Sequence, residues 1–371
     1  MKRLVCFHLF NDFSGSPKVL RMVLGRLLER TEWRVERGGL SVEIVTSKGE
    51  GALSDLDGRK GVRMHRYAYR FSDNGVVTML RYSWVQLYVF LLSFRYLLSR
   101  ETVFYINTIL PVGAALAGRL MGKRVVYHYH ENASAKGAFY RILAKAMQGL
   151  ASEIVCVSAY QRSFLKREKG VYVVPNAAPE AFTARLKPNP QEAFGRKRVL
   201  MLGSLKRYKG TQEFVELAGR MKDYAFELVL NETQENIDAY WKESGMTQPE
   251  NLTVHARQKD VAPFYNRASV VLNLTNKNMA IETFGLTAIE AMSAGLPVIV
   301  PTVGGIAEIV EDGVNGYKTD VQELDKIEKQ IGALFSDWAL YERLAHGALN
   351  RAALYREQEM VNRIVEILDR V

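Results

Sequence analysis

Cysteines and recognisable metal ligands are scarce in this sequence. There are two cysteines among 371 residues, and both Cys6 and Cys156 lie in short apolar runs. Such cysteines behave as small buried hydrophobic side chains, which excludes a disulfide-rich secreted scaffold. The six histidines lack the spacing of zinc ligands, and no Asp-x-Asp pair offers a magnesium site. We therefore predict a protein of a reducing compartment that needs no metal ion.

Acidic residues are scarce in the first half of the chain. Residues 1–187 hold 29 Lys and Arg against 14 Asp and Glu, a net charge of +15. Residues 188–371 hold 21 against 26, a net charge of −5. This asymmetry predicts two domains with different tasks, the first of which faces an anionic partner. A nucleic acid, an acidic membrane surface and a phosphorylated substrate all fit, and charge alone does not choose among them.

One long apolar stretch, residues 79–99, has charges within it. Arg81 and Arg95 interrupt the stretch, and an arginine at the centre of a bilayer is costly. Three interpretations stay open. The stretch is a helix within the first domain, a helix whose aromatic side also touches a membrane surface beside Arg81, Arg95 and Arg100, or a true membrane span.

Short β-rich runs separated by helical patterns fill both halves of the chain. The run Leu4–Leu9 lacks the small-residue cleavage site of a secretory signal, so we predict that it is a first strand. Helical patterns include Val19–Arg30 and Ser336–Val371. The other predicted strands are Val42–Thr46, Val103–Ile106, Val125–His128, Ile154–Val157 and Val171–Val174, then Val199–Gly203, Phe226–Leu230, Leu252–His255, Val270–Leu274 and Pro297–Val300. This alternation predicts an α/β protein with two doubly wound, Rossmann-like domains.

A polar stretch with two prolines, residues 183–196, predicts the linker between these domains. We assign residues 1–187 to an N-terminal Rossmann-like domain and residues 188–350 to a C-terminal one. Residues 351–371 are expected to form a C-terminal helix that packs back on the first domain.

Two glutamates bracket the predicted start of a helix in the second half. Residues 281–295 read Ile-Glu-Thr-Phe-Gly-Leu-Thr-Ala-Ile-Glu-Ala-Met-Ser-Ala-Gly, and we expect the helix to begin near Leu286. Free backbone N–H groups and the positive end of the helix would meet there, which favours a diphosphate. Glu282 before the helix and Glu290 inside it can accept hydrogen bonds from sugar and ribose hydroxyls. Two solvated glutamates beside an ordinary helix are the alternative.

A cationic turn follows the first strand of the same half. Residues 203–210 read Gly-Ser-Leu-Lys-Arg-Tyr-Lys-Gly, and the residues after them open a helix. Lys206, Arg207 and Lys209 therefore lie near the carboxyl end of a strand, where they can bind a nucleotide diphosphate. A solvated basic turn is the alternative.

These segments, in this order, resemble the retaining glycosyltransferases of the GT-B fold, in particular glycosyltransferase family 4 of the group 1 type. That family carries Glu-x7-Glu before Gly-x-Pro-Val, then Gly-Gly and Glu-x-Val-x-x-Gly-x-x-Gly, and the resemblance covers most of residues 199–320. It implies two Rossmann-like domains facing across a cleft, with the acceptor bound by the N-terminal domain and the donor by the C-terminal one. It also implies an enzyme of the hexosyltransferase type. Such an enzyme moves a sugar from a nucleotide-diphospho-sugar to a hydroxyl of a glycan or lipid-linked acceptor, and we expect UDP before GDP as the nucleotide.

The resemblance implies roles for single residues in the second half. Glu282 matches the glutamate near the hydroxyls of the donor sugar, as a nucleophile or as a positioning group, and Glu290 matches the ribose ligand. The diphosphate would be held, without a metal ion or another cofactor, by Lys209 and by the backbone N–H groups of Gly285, Leu286 and Thr287.

The phosphate site departs from the family at one position. The family usually has an arginine where this chain has Ser204. We expect Lys206 or Arg207 to supply the second cation in its place.

Two N-terminal segments resemble the same family. Residues 13–17, Phe-Ser-Gly-Ser-Pro, follow the first strand, where the family has a glycine loop against donor phosphates and acceptor; Gly15 and Ser16 match it. Residues 125–132 read Val-Val-Tyr-His-Tyr-His-Glu-Asn, and alternation puts His128 and His130 on one side of an extended segment. Spacing does not choose between them. The resemblance favours His130 as the histidine of the catalytic centre, because a following Glu or Asp is usual in the family.

The cationic first half suggests where such an enzyme works. An anionic lipid surface attracts each nearby Lys or Arg by about 1 kcal/mol. We therefore expect a cytoplasmic enzyme of bacterial cell-surface polysaccharide synthesis, peripheral on the inner face of the inner membrane.

Two other classes of protein are weighed against this one. A GT-B sugar-nucleotide epimerase or phosphorylase would need more acid–base residues or a pyridoxal lysine motif. A basic nucleic-acid-binding protein would need a nucleic-acid-reading motif, whereas the cations are scattered and the half with the nucleotide motif is acidic. We expect no nucleic acid partner.

Overall fold

The computed structural model describes residues 3–29, 40–133 and 137–370. Within these ranges the chain forms two compact units, one containing the described residues up to Asn176 and from Glu357 onward, the other Ala177–Arg356. The first unit is therefore assembled from both ends of the chain. Arg30 and Val371, which end two predicted helical patterns, lie outside the described residues.

A seven-stranded parallel sheet forms the centre of the first unit. Its strands are β1 (Arg3–Phe7), β2 (Ser41–Ser47), β3 (Val62–Tyr67), β4 (Thr102–Asn107), β5 (Arg124–Tyr129), β6 (Glu153–Cys156) and β7 (Val171–Val173). They lie in the order β3-β2-β1-β4-β5-β6-β7. The central strands are almost wholly apolar because helices cover both faces of a parallel sheet. Cys6 in β1 and Cys156 in β6 are buried free thiols, as predicted.

Helices connect these strands. They are α1 (Gly15–Glu29), α2 (Gly75–Ser93), α3 (Val112–Leu120), α4 (Ala138–Leu150) and α5 (Ala159–Arg162), with short 3-10 turns at Ser54–Leu56 and Phe94–Tyr96. Asn74 starts α2, because its side chain accepts hydrogen bonds from the backbone N–H groups of Val76 and Val77.

The second unit repeats this design around a six-stranded parallel sheet. Its strands are β8 (Arg198–Gly203), β9 (Ala225–Leu230), β10 (Leu252–His255), β11 (Val270–Leu272), β12 (Val298–Val300) and β13 (Gly316–Lys318). Their order is β10-β9-β8-β11-β12-β13. In both sheets the chain runs outward from the first strand in one direction and then in the other. Ligands of such sheets bind beyond the carboxyl ends of the strands at the point of reversal.

The helices of the second unit are α6 (Glu180–Thr183), α7 (Pro190–Arg196), α8 (Thr211–Arg220), α9 (Gln234–Ser244), α10 (Ala262–Arg267), α11 (Leu286–Ser293), α12 (Leu324–Ser336) and α13 (Trp338–Ala352). A 3-10 turn, Arg207–Lys209, lies between β8 and α8.

The last helix, α14 (Glu357–Asp369), belongs to the first unit. Arg124 at the start of β5 donates a hydrogen bond to the carbonyl of Leu368 at 2.8 Å, and Arg26 of α1 lies 3.4 Å from the Glu357 carboxylate. Polar contacts to two elements of the first unit thus hold the C-terminal segment.

The two units divide between Asn176 and Ala177, whereas the sequence analysis places the boundary after residue 187. Residues 183–196 belong to the second unit, and much of this stretch is helical instead of forming the predicted linker. Asn189 caps α7 by accepting a hydrogen bond from Glu192 N, and Pro190 occupies its first turn. An Asn-Pro pair is a helix start as much as a loop signal.

The structure contains the predicted strands and two edge strands that the sequence analysis does not predict, β3 and β13. β3 carries Arg63, His65 and Arg66, and β13 spans three residues beginning with Gly316. An edge strand has one hydrogen-bonded neighbour and an open side, so it tolerates polar residues that hide its pattern.

The stretch 79–99 lies largely in α2. By length and composition alone, Gly75–Tyr96 could cross a membrane. In the fold, however, α2 lies on the crossover between β3 and β4 of one parallel sheet, and its Val85 and Val89 pack into the core of the first unit. The interpretation as a domain helix therefore fits the fold.

Candidate functional site

The cationic turn of the second unit is fixed against a neighbouring strand. Gly210, which follows the turn, has φ +77°, and a Cβ there would lie 2.3 Å from the carbonyl oxygen of Leu274 just beyond β11. Only glycine combines this backbone conformation with so close an approach. The turn therefore holds Lys209 at the carboxyl ends of β8 and β11.

Lys209 and Glu282 form an ion pair at this place. Lys209 Nζ donates to Glu282 Oε1, and Thr275 Oγ1 donates to the same oxygen at 3.0 Å. Burial alone would raise the pKa of Glu282, but the Lys209 charge and these hydrogen bonds outweigh burial and lower it. Burial likewise opposes the charge of Lys209, yet the Glu282 carboxylate raises the Lys209 pKa. Both side chains therefore remain charged at neutral pH.

The Gly304-Gly305 pair supports the backbone of Glu282. Gly305 N donates to the Glu282 carbonyl at 2.8 Å. Gly304 has φ +100°, and a Cβ there would lie 2.5 Å from that same carbonyl oxygen. These contacts make the glycine loop a support that sets the position of Glu282.

Helix α11 begins at Leu286, as predicted, and within the described chain no side chain caps its N-terminus. Ala288 N and Ile289 N both donate to the Gly285 carbonyl. The N–H groups of Leu286 and Thr287 occupy the first two helical positions, which have no partner inside a helix. An uncapped helix start of this kind suits an anion.

Glu290 lies farther along α11 and is held by a tyrosine. The hydroxyl of Tyr265 in α10 donates to Glu290 Oε2 at 2.6 Å. Tyr265 is fully buried, and its ring packs edge-on against Phe182 at 5.6 Å. The carboxylate is thereby oriented by a group that cannot move freely.

The other two cations of the turn differ in their surroundings. Arg207 is paired with Glu213 of α8, with Nη1 2.7 Å from Oε1. Lys206 is exposed, and its Nζ lies 6.0 Å from the centre of the Tyr208 ring. Of the two expected replacements for the family arginine, Arg207 already has a carboxylate partner.

A second cluster of polar side chains lies at the carboxyl ends of β1, β4 and β5 in the first unit. Asn107, which ends β4 and is buried, accepts a hydrogen bond from His130 Nε2 at 2.9 Å through Oδ1. Its Nδ2 lies 3.0 Å from His8 Nδ1 and donates to the carbonyl of Ser16 at 3.1 Å. Asn107 therefore links the predicted catalytic histidine to the start of α1, where Gly15 and Ser16 form the first residues of the helix.

Burial lowers the pKa of His130 well below its usual value, and the neighbouring His128 and His8 lower it further. The imidazole of His130 is therefore neutral at pH 7. Its Nε2 carries the proton in the bond to Asn107 Oδ1, because an amide oxygen is only an acceptor.

His128 has the character of a core residue. It is fully buried, its Nδ1 lies 2.7 Å from the Tyr105 hydroxyl, and its pKa is lowered to about 3 by burial. Its ring lies 4.2 Å from that of His130. The pleat does place the two histidines on one side of β5, but His128 lies deeper in the core.

Glu131 organises the backbone beside this cluster. Its Oε2 accepts hydrogen bonds from the N–H groups of Ile109 at 3.2 Å and His130 at 3.3 Å. Thr108, next to Ile109, has φ +75°, an uncommon conformation for a residue other than glycine. Strained residues of this kind concentrate at functional sites.

The residues of these clusters that are not predicted from the sequence include His8, Asn107, Thr275 and Tyr265. Asn107 has a usable signal, because it is a polar residue that ends an apolar strand at the ligand-binding edge of a doubly wound sheet. Tyr265 resembles an ordinary apolar helix residue, so nothing local indicates its bond to Glu290. Among the residues that the structure describes, no group of three or more His, Cys, Asp or Glu could hold a metal ion.

Comparison with known proteins identifies the family and the fold of this chain. The family model "Glycosyl transferases group 1" matches residues 166–351, and the model "Glycosyltransferase Family 4" matches residues 25–181. The chain is 28% identical over 192 residues to D-inositol 3-phosphate glycosyltransferase 1 of Catenulispora acidiphila, a match that covers 48% of this chain and 44% of that protein. This chain therefore spans less than half the length of that relative.

Solved structures match the chain over its length. The HepE protein of Anabaena, crystallised with UDP and glucose, superposes with a TM-score of 0.77, 17% identity and 100% coverage of both chains. Sucrose-phosphate synthase of Thermosynechococcus elongatus superposes with a TM-score of 0.75 and 16% identity, with 99% of this chain and 98% of that chain covered. At this identity the likeness establishes the fold, which is GT-B. With a family model matched over half of its residues, this chain belongs to the group 1 glycosyltransferases.

Proposed function

We propose that this chain is a retaining, metal-independent glycosyltransferase that uses a nucleotide-diphospho-sugar. The observation that carries the proposal is the Lys209–Glu282 pair, which lies in the same unit as the uncapped start of α11 and the oriented carboxylate of Glu290. A diphosphate needs cations and free N–H groups, and a sugar with vicinal hydroxyls needs fixed carboxylates. The second unit supplies both.

Each group has a place in the proposed chemistry. The Lys209 ammonium and the N–H groups of Leu286 and Thr287 stabilise the negative charge that develops on the leaving nucleotide diphosphate. Glu282 binds a hydroxyl of the donor sugar, and Glu290 binds the ribose. Because these groups are fixed before the donor arrives, they lose little free energy to reorganisation at the moment of transfer. Of the other two cations, Lys206 supplies the second charge, since Arg207 is paired with Glu213.

His130 acts in this proposal as a neutral hydrogen-bonding group. Its lowered pKa disfavours the imidazolium form, so it does not serve as a cationic acid. Gly15 and Ser16 line the same cluster through the bond from Asn107 to Ser16. The first unit would thus bind the acceptor, a hydroxyl of a glycan or a lipid-linked saccharide.

The proposed nucleotide and the proposed setting are supported by similar structures and by charge. HepE was crystallised with UDP and with UDP-glucose, which supports UDP as the first candidate and leaves GDP as the second. The net charge of +15 on residues 1–187 supports an acceptor at an anionic surface in bacterial polysaccharide synthesis, on the cytoplasmic face of the inner membrane.

The first test is a thermal-shift panel of UDP, GDP, ADP and CMP. A ligand that binds only the folded state raises the stability of the protein, by about 2.7 kcal/mol at a concentration one hundred times its Kd. We expect one nucleotide to raise Tm in the wild type and not in Glu290→Ala. Glu342→Ala, an exposed glutamate on α13, is the matched control and should keep the shift.

No shift with any nucleotide at millimolar concentration would contradict the donor site. A shift that persists in Glu290→Ala would contradict the role of Glu290 alone. With the nucleotide identified, a donor-hydrolysis screen names the sugar, and the anomeric configuration of the transfer product tests retention.

A further inference from the structure

The first unit exposes a continuous apolar stripe along α2 and the turn that follows it. The members of this stripe recur every three or four residues, the spacing of one side of a helix. Trp84 is 70% exposed, Leu91 61% and Leu98 93%. The apolar stripe consists of Leu80, Trp84, Leu87, Leu91, Phe94 and Leu98.

The opposite side of α2 is already used by the fold. Tyr82 is buried and its hydroxyl donates to the carbonyl of Leu110 at 2.7 Å. Gln86 accepts a hydrogen bond from Gly113 N of α3 at 3.0 Å. Val85 and Val89 pack in the core. The helix therefore cannot rotate to bury the stripe, which stays outward and apolar.

The surroundings of the stripe are cationic. Residues 75–100, the segment that carries the stripe, contain three arginines and no Asp or Glu. Arg81, Arg95 and Arg100 are exposed, and Arg81 donates to the carbonyl of Arg70 at 3.1 Å, which fixes it beside the helix. Apolar residues beside exposed arginines match the two components of a bilayer interface, acyl chains and anionic headgroups.

We propose that the apolar stripe inserts into the interfacial layer of an anionic lipid bilayer, with α2 lying along the membrane plane. A transmembrane orientation is disfavoured because the buried side of α2 is packed on its own sheet. A second copy of this chain is a poorer partner, because the same arginines would meet each other. The inference rests on the proposed membrane setting, for which it names the contact surface, and it depends on none of the donor-site residues.

This surface is tested by co-sedimentation of the protein with two kinds of vesicle. One kind contains phosphatidylcholine alone, and the other contains phosphatidylcholine mixed with the anionic phosphatidylglycerol. The variant Trp84→Ser/Leu91→Ser should lose at least about tenfold in binding to the anionic vesicles, since each large side chain contributes strongly when buried. Leu354→Ser/Val314→Ser removes two exposed apolar side chains from the second unit and should bind as the wild type does. Reversal of Arg81, Arg95 and Arg100 to glutamate should abolish the preference for anionic vesicles.

Trp84 also reports its own insertion. Its fluorescence should shift to the blue with anionic vesicles and be quenched by brominated acyl chains. Trp84→Phe keeps an apolar side chain, so it should still bind the vesicles while this signal disappears.

Three results would overturn the proposal. They are equal binding of both kinds of vesicle, wild-type binding by Trp84→Ser/Leu91→Ser, and a dimer without lipid that the same variant abolishes. The thermal shift with nucleotide is measured on that variant as well. If the wild type shows the thermal shift with nucleotide but does not bind the vesicles, this inference is wrong and the proposed transferase remains.

Discussion

Tyr265 gives Glu290 an orientation that the carboxylate would not have by itself. A flexible glutamate side chain in a helix samples several rotamers, and each rotamer lost on ligand binding weakens the affinity. The bond from the Tyr265 hydroxyl restricts Glu290 before any ligand arrives. Burial, and then the Glu290 charge, raise the Tyr265 pKa well above its usual value, so the phenol stays a donor at any physiological pH.

Tyr265→Phe should therefore weaken nucleotide binding by about tenfold or more, because a hydrogen bond to a charged group contributes about 1.5–3 kcal/mol and each 1.4 kcal/mol is tenfold. The matched control is Tyr341→Phe, another buried tyrosine of this unit, whose hydroxyl donates to the Ser269 carbonyl at 2.7 Å. Both variants should lose some stability, but only Tyr265→Phe should lose affinity. Calorimetric Kd values decide the matter, and equal affinities in the two variants would assign Tyr265 to the core alone.

The Lys209–Glu282 pair shows what a sequence does not contain. Each residue can be recognised in its own motif, yet 73 positions separate them along the chain. Their contact depends on how β8 and β11 are placed side by side, and no local pattern specifies that. The partners of Asn107, His8 and His130, likewise follow other strands, so the position of Asn107 in the sequence does not reveal its contacts.

Among the connecting segments, the Gly304-Gly305 loop has the clearest task. Gly304→Ala should displace Glu282, because the new Cβ would lie 2.5 Å from the Glu282 carbonyl oxygen. Gly313→Ala is the control, since Gly313 has φ +74° and a Cβ there would meet nothing within 4 Å. Both variants carry the strain of a left-handed alanine, about 1–2 kcal/mol.

Only Gly304→Ala should lose sugar transfer by more than about tenfold in kcat, because misplacement of a substrate-positioning group by about 1 Å is costly. Initial rates with the donor found above, at a temperature where both variants are folded, give the comparison. Similar rates in the two variants would mean that the loop does not position Glu282.

Most strands and helices were predictable because their apolar pattern is set by burial on a parallel sheet. The failures have particular causes. In β3 the three basic side chains hid a strand that needs only one neighbour, and at Asn189-Pro190 a helix start resembled a loop. For α2 the sequence left three interpretations, because an apolar helix looks alike whether a core or a membrane covers it.

In both units a buried glutamate with basic neighbours links the first three strands of the sheet. In the first unit Glu43 of β2 is buried, with His65 Nε2 at 2.7 Å, the Tyr96 hydroxyl at 2.8 Å and Arg3 Nε at 3.4 Å. In the second unit a carboxylate at the corresponding register, Glu227 of β9, is surrounded by Arg198 at 3.0 Å, Arg267 at 2.8 Å and His255 at 3.5 Å.

The arginine, glutamate and histidine of each unit lie at the same relative positions along their three strands. Arg3 and Arg198 are the first residues of β1 and β8, and each glutamate lies two residues beyond the partner of its arginine. Each histidine again lies two residues beyond the partner of its glutamate. Both Rossmann-like units therefore use one buried carboxylate to connect three strands.

Glu43→Gln and Glu227→Gln should each lower the free energy of unfolding by about 1–3 kcal/mol at neutral pH. Burial tends to raise the pKa of either carboxyl, but hydrogen bonds and cations outweigh burial and lower it. A lowered folded-state pKa means that the unfolded chain binds protons first. The stabilisation is therefore complete above the unfolded value of about 4.3 and is lost as the pH falls through the folded value.

Urea unfolding at neutral and acidic pH measures this effect. The difference between wild type and each variant should shrink in acid. Glu366→Gln on α14 and Glu342→Gln on α13 are exposed controls and should show little difference at either pH. If the loss in free energy of unfolding is the same at both pH values, the shape of that glutamate side chain, and not its charge, is responsible for the stabilisation.

The contribution of α14 to the first unit has a consequence for synthesis. Ribosomes deliver the chain from its N-terminus, and domains generally fold as they emerge. The strands of the first unit are made first, but the helix that completes this unit, Glu357–Asp369, is made after the whole of Ala177–Arg356. During synthesis the first unit therefore exposes the apolar surface that α14 later covers. This unit begins to be translated before the second unit but is completed after it.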